Sequence, residues 1–284
     1  MLARRIPSIL PNLSFDEALE ITKIHSIAGV LQQGTPLITT RPFRAPHHTV
    51  SSVSLVRTEE EFQNHGEISL AHYGVLFLDE IAEFQKSTLE VLRGPLEDRL
   101  VTISRVNATL TYPANFMFVA SMNPCPCGYY GSKDKECTCT PQMISKYMGK
   151  ISGPLLDRID ICTEVSPVKY QKLDSKEPLE FSEDIKKRVD KARKIQQERY
   201  KECKIFSNSE LTPKFIEEYC KLDIRGKNVL ENAFNKLKLS ARAYGRILKV
   251  ARTIADLDES KNIEVKHIAE AIQYRSIDRK YWGN

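Results

Sequence analysis

The chain has 284 residues, with 42 Lys and Arg against 37 Asp and Glu, and a formal charge of +5. A content of 41% hydrophobic and 28% charged residues excludes general disorder. No run approaches the ~20 consecutive apolar residues that cross a bilayer, so a membrane-spanning helix is excluded. The length suits about two domains. The first residues, Met1-Leu2-Ala3-Arg4-Arg5-Ile6-Pro7, lack the charged-then-apolar build of a secretory signal. Seven cysteines, four of them between Cys125 and Cys139, do not read as a disulfide framework at this length. A reducing cytoplasm is the expected setting.

Residues 1–24 read as mostly helical. Ser14 precedes Asp16 and Glu17, which places acidic groups where a helix N-terminus favours them. Residues 34–56, with Pro36, Pro42 and Pro46 between β-branched runs, suggest short strands and loops. Val75-Leu76-Phe77-Leu78, entered through Gly74 and ending at Asp79-Glu80, has the pattern of a strand buried on both faces. Leu89, Leu92 and Leu96 recur at helical spacing. Residues 100–105 and 108–112 alternate around Val106-Asn107 as a hairpin does. Residues 116–120 read as a second buried strand, ending at Ser121-Met122-Asn123-Pro124. Strand, helix, hairpin and strand together make an α/β core, over residues 1–168. A polar stretch with Pro178, residues 169–182, reads as a linker. Residues 183–284 then show only helical stripes: Ile185/Val189/Ala192/Ile195, Leu230/Ala233/Phe234/Leu237, Ile247/Leu248/Ala251/Ile254/Ala255 and Val265/Ile268/Ala269/Ile272.

Three positions carry chemistry. Asp79-Glu80 closes a buried strand, where open α/β sheets bind ligands. In nucleotide hydrolases such an Asp holds Mg²⁺ and the neighbouring acid orients or deprotonates water; the alternative is a strand ending in acidic surface residues. Asn123 follows the second strand and should reach the same sheet edge, where an amide can bond both a phosphate and a water; its alternative is a plain Asn-Pro turn. Arg158, flanked by Asp157 and Asp160, is either a paired surface residue or a cation projected into a neighbouring subunit's nucleotide.

With Ser152-Gly153-Pro154-Leu155-Leu156-Asp157-Arg158-Ile159-Asp160, Ala251-Arg252-Thr253-Ile254-Ala255-Asp256-Leu257 and Arg41-Pro42-Phe43-Arg44-Ala45-Pro46-His47-His48, these segments resemble the magnesium-chelatase-like AAA+ ATPases. Within them the YifB/ComM branch is the nearest match, from the first residue to about Arg275. The resemblance implies a ring-forming, hexameric, Mg²⁺-ATP-driven motor acting on DNA. It implies Walker B roles for Asp79 and Glu80, sensor 1 for Asn123 and an arginine finger for Arg158. Ser240-Ala241-Arg242-Ala243-Tyr244-Gly245-Arg246 resembles the sensor 2 segment, with Arg242 the first choice for the γ-phosphate and Arg246 the second. Two features depart from the pattern. No Gly-x-x-x-x-Gly-Lys-Ser/Thr occurs, so the core is expected to begin after the phosphate cradle and to lack the P-loop strand. Residues 57–65 replace a Gly-rich stretch.

The cysteines Cys125, Cys127, Cys137 and Cys139 have the composition of a closed Zn²⁺ site. Reduced thiols on a loop and redox disulfides are the other readings. His47 and His48, beside Arg41 and Arg44, suggest a loop contacting DNA or a neighbouring subunit, or else hairpin packing. Arg105 sits in what resembles a pore hairpin, where it would meet phosphate rather than bases.

Overall fold

A computed structural model describes residues 2–56, 66–104, 109–132, 135–165, 180–203 and 205–282. The chain divides into two compact units, 1–158 and 159–284. No described helix is long and apolar enough to cross a membrane.

The first unit opens with a short helix, α1 (Ile6–Ile9), and then α2 (Phe15–Ile27). Ser14 starts α2 with a full capping box. Its hydroxyl accepts the Glu17 N–H at 3.1 Å, and the Glu17 carboxylate accepts the Ser14 N–H at 2.9 Å. Such a cap contributes about 1 kcal/mol. Of the stretch 34–56, only Phe43–Arg44 (β1) is strand, and Ser52–Val56 (α3) is helical, which corrects the expectation of strands and loops alone. The prolines confine β1 to two residues, because a proline cannot donate to a ladder. A further short helix, α4, spans Glu67–Leu70.

β2 (Val75–Leu78) is the central strand, with β1 on one side and β5 (Met117–Ala120) on the other, both parallel. Val75, Leu76 and Leu78 are buried, as a strand covered on both faces requires. Its entry needs Gly74. A Cβ built there would lie 2.1 Å from the Pro42 carbonyl oxygen, and the Val75 N–H bonds that oxygen at 2.8 Å. α5 (Lys86–Val91) and α6 (Arg93–Asp98) follow, then the hairpin of β3 (Leu100–Ser104) and β4 (Thr109–Pro113), in register Val101 to Tyr112. The hairpin tip, with Arg105, lies outside the described residues, as do 57–65 and most of the expected linker.

β5 corrects the sequence reading. It is a strand, but not a buried one: Met117 is 43% exposed and Ala120 is exposed. Among the described residues it pairs on one side only, with β2. α7 (Pro141–Met148) and α8 (Gly153–Leu156) close the unit.

The second unit is helical: α9 (Ser182–Arg199), α10 (Pro213–Tyr219), α11 (Ile224–Leu237), α12 (Ala241–Leu257) and α13 (Val265–Trp282). Leu230, Ile247, Leu248, Ala251, Ala255 and Ile268 meet in its core. Asp223 and Ser240 cap α11 and α12 through their side chains. A buried polar network crosses this core. Asp256 is fully buried and accepts from Arg199, from Asn208 at 2.8 Å and from the Arg252 Nε at 3.1 Å. Arg252 also donates to the carbonyls of Ser260 and Lys261.

Candidate functional site

The parallel register Leu78 to Ala120 carries the two strand ends out together. Asp79-Glu80 and Ser121-Met122-Asn123 therefore leave the sheet side by side. The linkage is direct: the Ser121 N–H bonds the Leu78 carbonyl at 3.0 Å, and the Ile81 N–H bonds the Ser121 carbonyl at 2.9 Å. The Ser121 hydroxyl donates to Asp79 Oδ1 and accepts the Glu80 N–H at 3.1 Å. One hydroxyl thus fixes the orientation of one carboxylate and the backbone of the next residue. Ser121 stood in the sequence pattern without a role; its place at the strand end, two before Asn123, was the available signal.

Glu80 holds a left-handed backbone, φ +50° and ψ +53°. That conformation costs a residue with a Cβ about 1–2 kcal/mol, and such strain gathers at functional positions. Asp79, Glu80 and Asn123 are all exposed. The backbone of Asn123 faces Tyr147 on α7, a buried ring whose hydroxyl burial keeps in the neutral form. Two exposed carboxylates and an amide at the carboxyl end of parallel strands suit a hard, oxygen-seeking cation and a phosphate.

Arg158 ends the same unit, just after α8. Its guanidinium donates to the Arg93 carbonyl at 3.0 Å, to the Pro154 carbonyl at 2.8 Å and to the Glu97 carboxylate. Its side chain is only 9% exposed. Arg242 is exposed near the start of α12, and Arg246, one turn on, is ion-paired with Asp160 at 2.6 Å.

The Arg-His segment is used differently from its basic appearance. Arg41 donates to the carbonyls of Pro11 and Tyr73, both at 2.7 Å, and to that of Asn12, and it pairs with Glu17. Arg44 forms a two-pronged pair with Glu67, at 2.7 and 2.6 Å, which raises its guanidinium above the ordinary value. Both arginines fasten β1 to its surroundings. The His47 and His48 rings lie 4.0 Å apart, tilted by 38°; His47 is exposed, and His48 lies edge-on to Phe84.

Cys125, Cys127, Cys137 and Cys139 converge, with all four sulfurs within 4.8 Å of one another. Gly128 and Gly131 supply the left-handed turns between the pairs, at φ +83° and +77°. Tyr130 N–H donates to Cys125 Sγ at 3.3 Å, and the Tyr129 backbone N–H is the main cause holding the Cys127 thiol down at about 5.

Comparison with known proteins matches residues 1–173 to the magnesium chelatase subunit ChlI family and residues 179–275 to the ChlI C-terminal family. The chain is 43% identical over 281 residues to the Escherichia coli K12 protein named "Uncharacterized protein YifB", covering 98% of this chain and 54% of that one. It is 43% identical over 282 residues to "Competence protein ComM" of Haemophilus influenzae, covering 98% and 53%. To the "Magnesium-chelatase 67 kDa subunit" of Chlorobaculum parvum it is 25% identical over 150 residues, 52% of this chain and 21% of that one. The chain spans about half the length of the first two relatives.

Proposed function

This chain belongs to the magnesium chelatase ChlI family, and from that premise we propose that it is the Walker B, sensor and lid portion of an ATP-hydrolysing AAA+ motor that acts on DNA. The observation that carries the reading is the pair of strand ends tied by Ser121, with Asp79, Glu80 and Asn123 on one exposed edge. Asp79, held by the Ser121 hydroxyl, would hold Mg²⁺; Glu80 would orient and deprotonate the attacking water; Asn123 would bond the terminal phosphate. Bound Mg²⁺ supplies charge neutralisation to the phosphates. In the lid, Arg242 is the phosphate contact and Arg246, already paired with Asp160, the second choice. Arg158 is the finger offered to a neighbouring subunit, which requires a ring, of six subunits in our reading. Residues 1–168 and 183–284 are the core and the lid of this assignment.

DNA is favoured over metal insertion because similarity to ComM runs over 98% of the chain at 43%, against 52% at 25% for the magnesium-chelatase subunit. Its contacts fall to His47, His48 and Arg105, since Arg41 and Arg44 serve the core. The deciding measurement is ATP turnover by the complete protein with and without DNA. Turnover should rise with DNA to ~1 s⁻¹ or more and vanish in Asp79→Ala; the rise should weaken with salt, as phosphate contacts do. Turnover indifferent to DNA would favour metal insertion. The 284 residues by themselves, with no Gly-x-x-x-x-Gly-Lys-Ser/Thr sequence, are expected to act as an assembly module without turnover.

A further inference from the structure

We propose that Cys125, Cys127, Cys137 and Cys139 bind one Zn²⁺ ion that serves as the core of the loop between β5 and α7. Two independent observations lead there. The first is the arrangement of the sulfurs. Zn–S bonds of about 2.3 Å in a tetrahedron place ligand sulfurs about 3.8 Å apart. The separations here are 3.4 Å for Cys125–Cys127, 3.7 Å for Cys125–Cys137 and 3.6 Å for Cys127–Cys137, with Cys139 inside the same cluster. None of the four is in a disulfide.

The second is the loop itself. From Ser121 to Thr140 no helix or strand occurs among the described residues. The only described residue buried below a tenth there is Cys125. A segment of that length rarely holds a shape inside a compact domain without an apolar core or a staple. Here the chain folds around the sulfurs instead. Gly128 N–H returns to the Cys125 carbonyl at 3.0 Å, Ser132 N–H to that of Tyr129 at 2.9 Å, and Tyr130 N–H to the Cys125 sulfur. The Tyr130 N–H, the one of these that reaches a sulfur, offsets part of the negative charge that four thiolates leave beyond the two charges of the metal. Four thiolates in a tetrahedron select zinc or iron, and hard cations are excluded. Zinc binding supplies folding free energy directly, because no such site exists in the unfolded chain.

The loop leaves from Asn123 and ends in α7, whose buried Tyr147 faces the Asn123 backbone. With Cys125 two residues after Asn123 and Cys139 two before α7, the metal would fix the path that joins them. The site needs no nucleotide, so its test is separate from that of the proposed ATPase.

The full 284-residue chain, expressed with zinc in the medium and purified without chelator, should carry about one equivalent of zinc by elemental analysis. Cys137→Ser/Cys139→Ser should carry under about a tenth of that. Should that variant fail to fold, the wild-type chain answers alone: removal of zinc with a chelator and refilling with Co²⁺ should produce the visible absorption of tetrahedral thiolate-bound cobalt. Hydrogen exchange should then speed up across 124–148 in the metal-free chain and leave 213–275 unchanged. Zinc near zero with all four thiols reacting freely in the folded chain would overturn the proposal. So would stoichiometric iron with inorganic sulfide, which would mark a cluster instead.

Discussion

Arg158 is tied within its own unit by two carbonyls and by Glu97. A finger must reach outward, so the pairing with Glu97 and the proposed role compete for one guanidinium. Two variants of the complete protein separate them. Arg158→Ala should retain ATP binding and lose hydrolysis by about 10³-fold or more, the usual effect of removing a finger. Glu97→Ala unties the guanidinium but leaves it present, and should keep hydrolysis within a few-fold. Equal losses of hydrolysis in both, with equal losses of melting temperature, would make Arg158 a strut. Asp256 belongs to the same scale. It is the shared acceptor of Arg199 and Arg252, and Arg252 is 3% exposed. Asp256→Ala leaves a buried guanidinium without its carboxylate and should cost about 3–5 kcal/mol, a large share of a domain's stability. Urea unfolding of the helical unit measures it; a loss under ~1 kcal/mol would show that water reaches the network.

α2 joins capping, charge and burial in thirteen residues. Its His25 bonds the Leu70 carbonyl at 3.1 Å, and its Glu20 lies 3.4 Å from His72. His72 Nδ1 accepts the Asn115 N–H at 3.0 Å, so the neutral ring carries its proton on Nε2, toward Glu20. Charging the ring would place a proton on Nδ1 and break the bond to Asn115. Burial is the main cause lowering both histidines from the ordinary 6.5. As pH falls below that value the unfolded chain takes up protons first, and the folded state is penalised. The stability of the first unit should therefore be full above about pH 6.5 and fall as pH drops toward the lowered folded values. His72→Gln should flatten part of the slope. A melting temperature constant from pH 7.5 to about 5.5 in the wild-type chain would remove histidine from the account.

The same elements show what can be read from residue order. Val75–Leu78 was legible because four apolar residues framed by Gly74 and Asp79 fit a strand covered on both faces. Ser14 was legible because capping is local. Met117–Ala120 was legible as a strand but misread as buried: an equally short apolar run cannot report whether a second neighbour pairs with it. Arg41 and Arg44 looked like an outward basic patch, since their acceptors, Pro11, Tyr73 and Glu67, come from other parts of the chain. The segment Ala251–Leu257 was recognisable as a motif, yet the burial of Arg252 against Asp256 follows only from packing. The cysteine cluster was legible in composition, while its convergence depended on turns at Gly128 and Gly131.

At the scale of the whole chain, the half-exposed strand β5 has a consequence for handling the protein. Met117 and Ser121 donate their N–H groups to the Gly74 and Leu78 carbonyls, at 2.9 and 3.0 Å, so alternation turns those of Phe118 and Ala120 to the outer edge. That edge, Phe116-Met117-Phe118-Val119-Ala120, is apolar and carries no charge or proline. Among the described residues nothing pairs with that edge, and such a row of donors and acceptors is a template for any other extended segment, including that of another copy. Concentrated solutions of this chain should therefore grow by strand addition, with a light-scattering mass that climbs with concentration. Ala120→Pro deletes an outward N–H and spares the bonds to β2, and should return the mass toward that of one chain. A mass already independent of concentration would mean that the edge is sheltered in solution; a climbing mass would make β5 the place to insert a gatekeeper before any attempt to crystallise or store the protein.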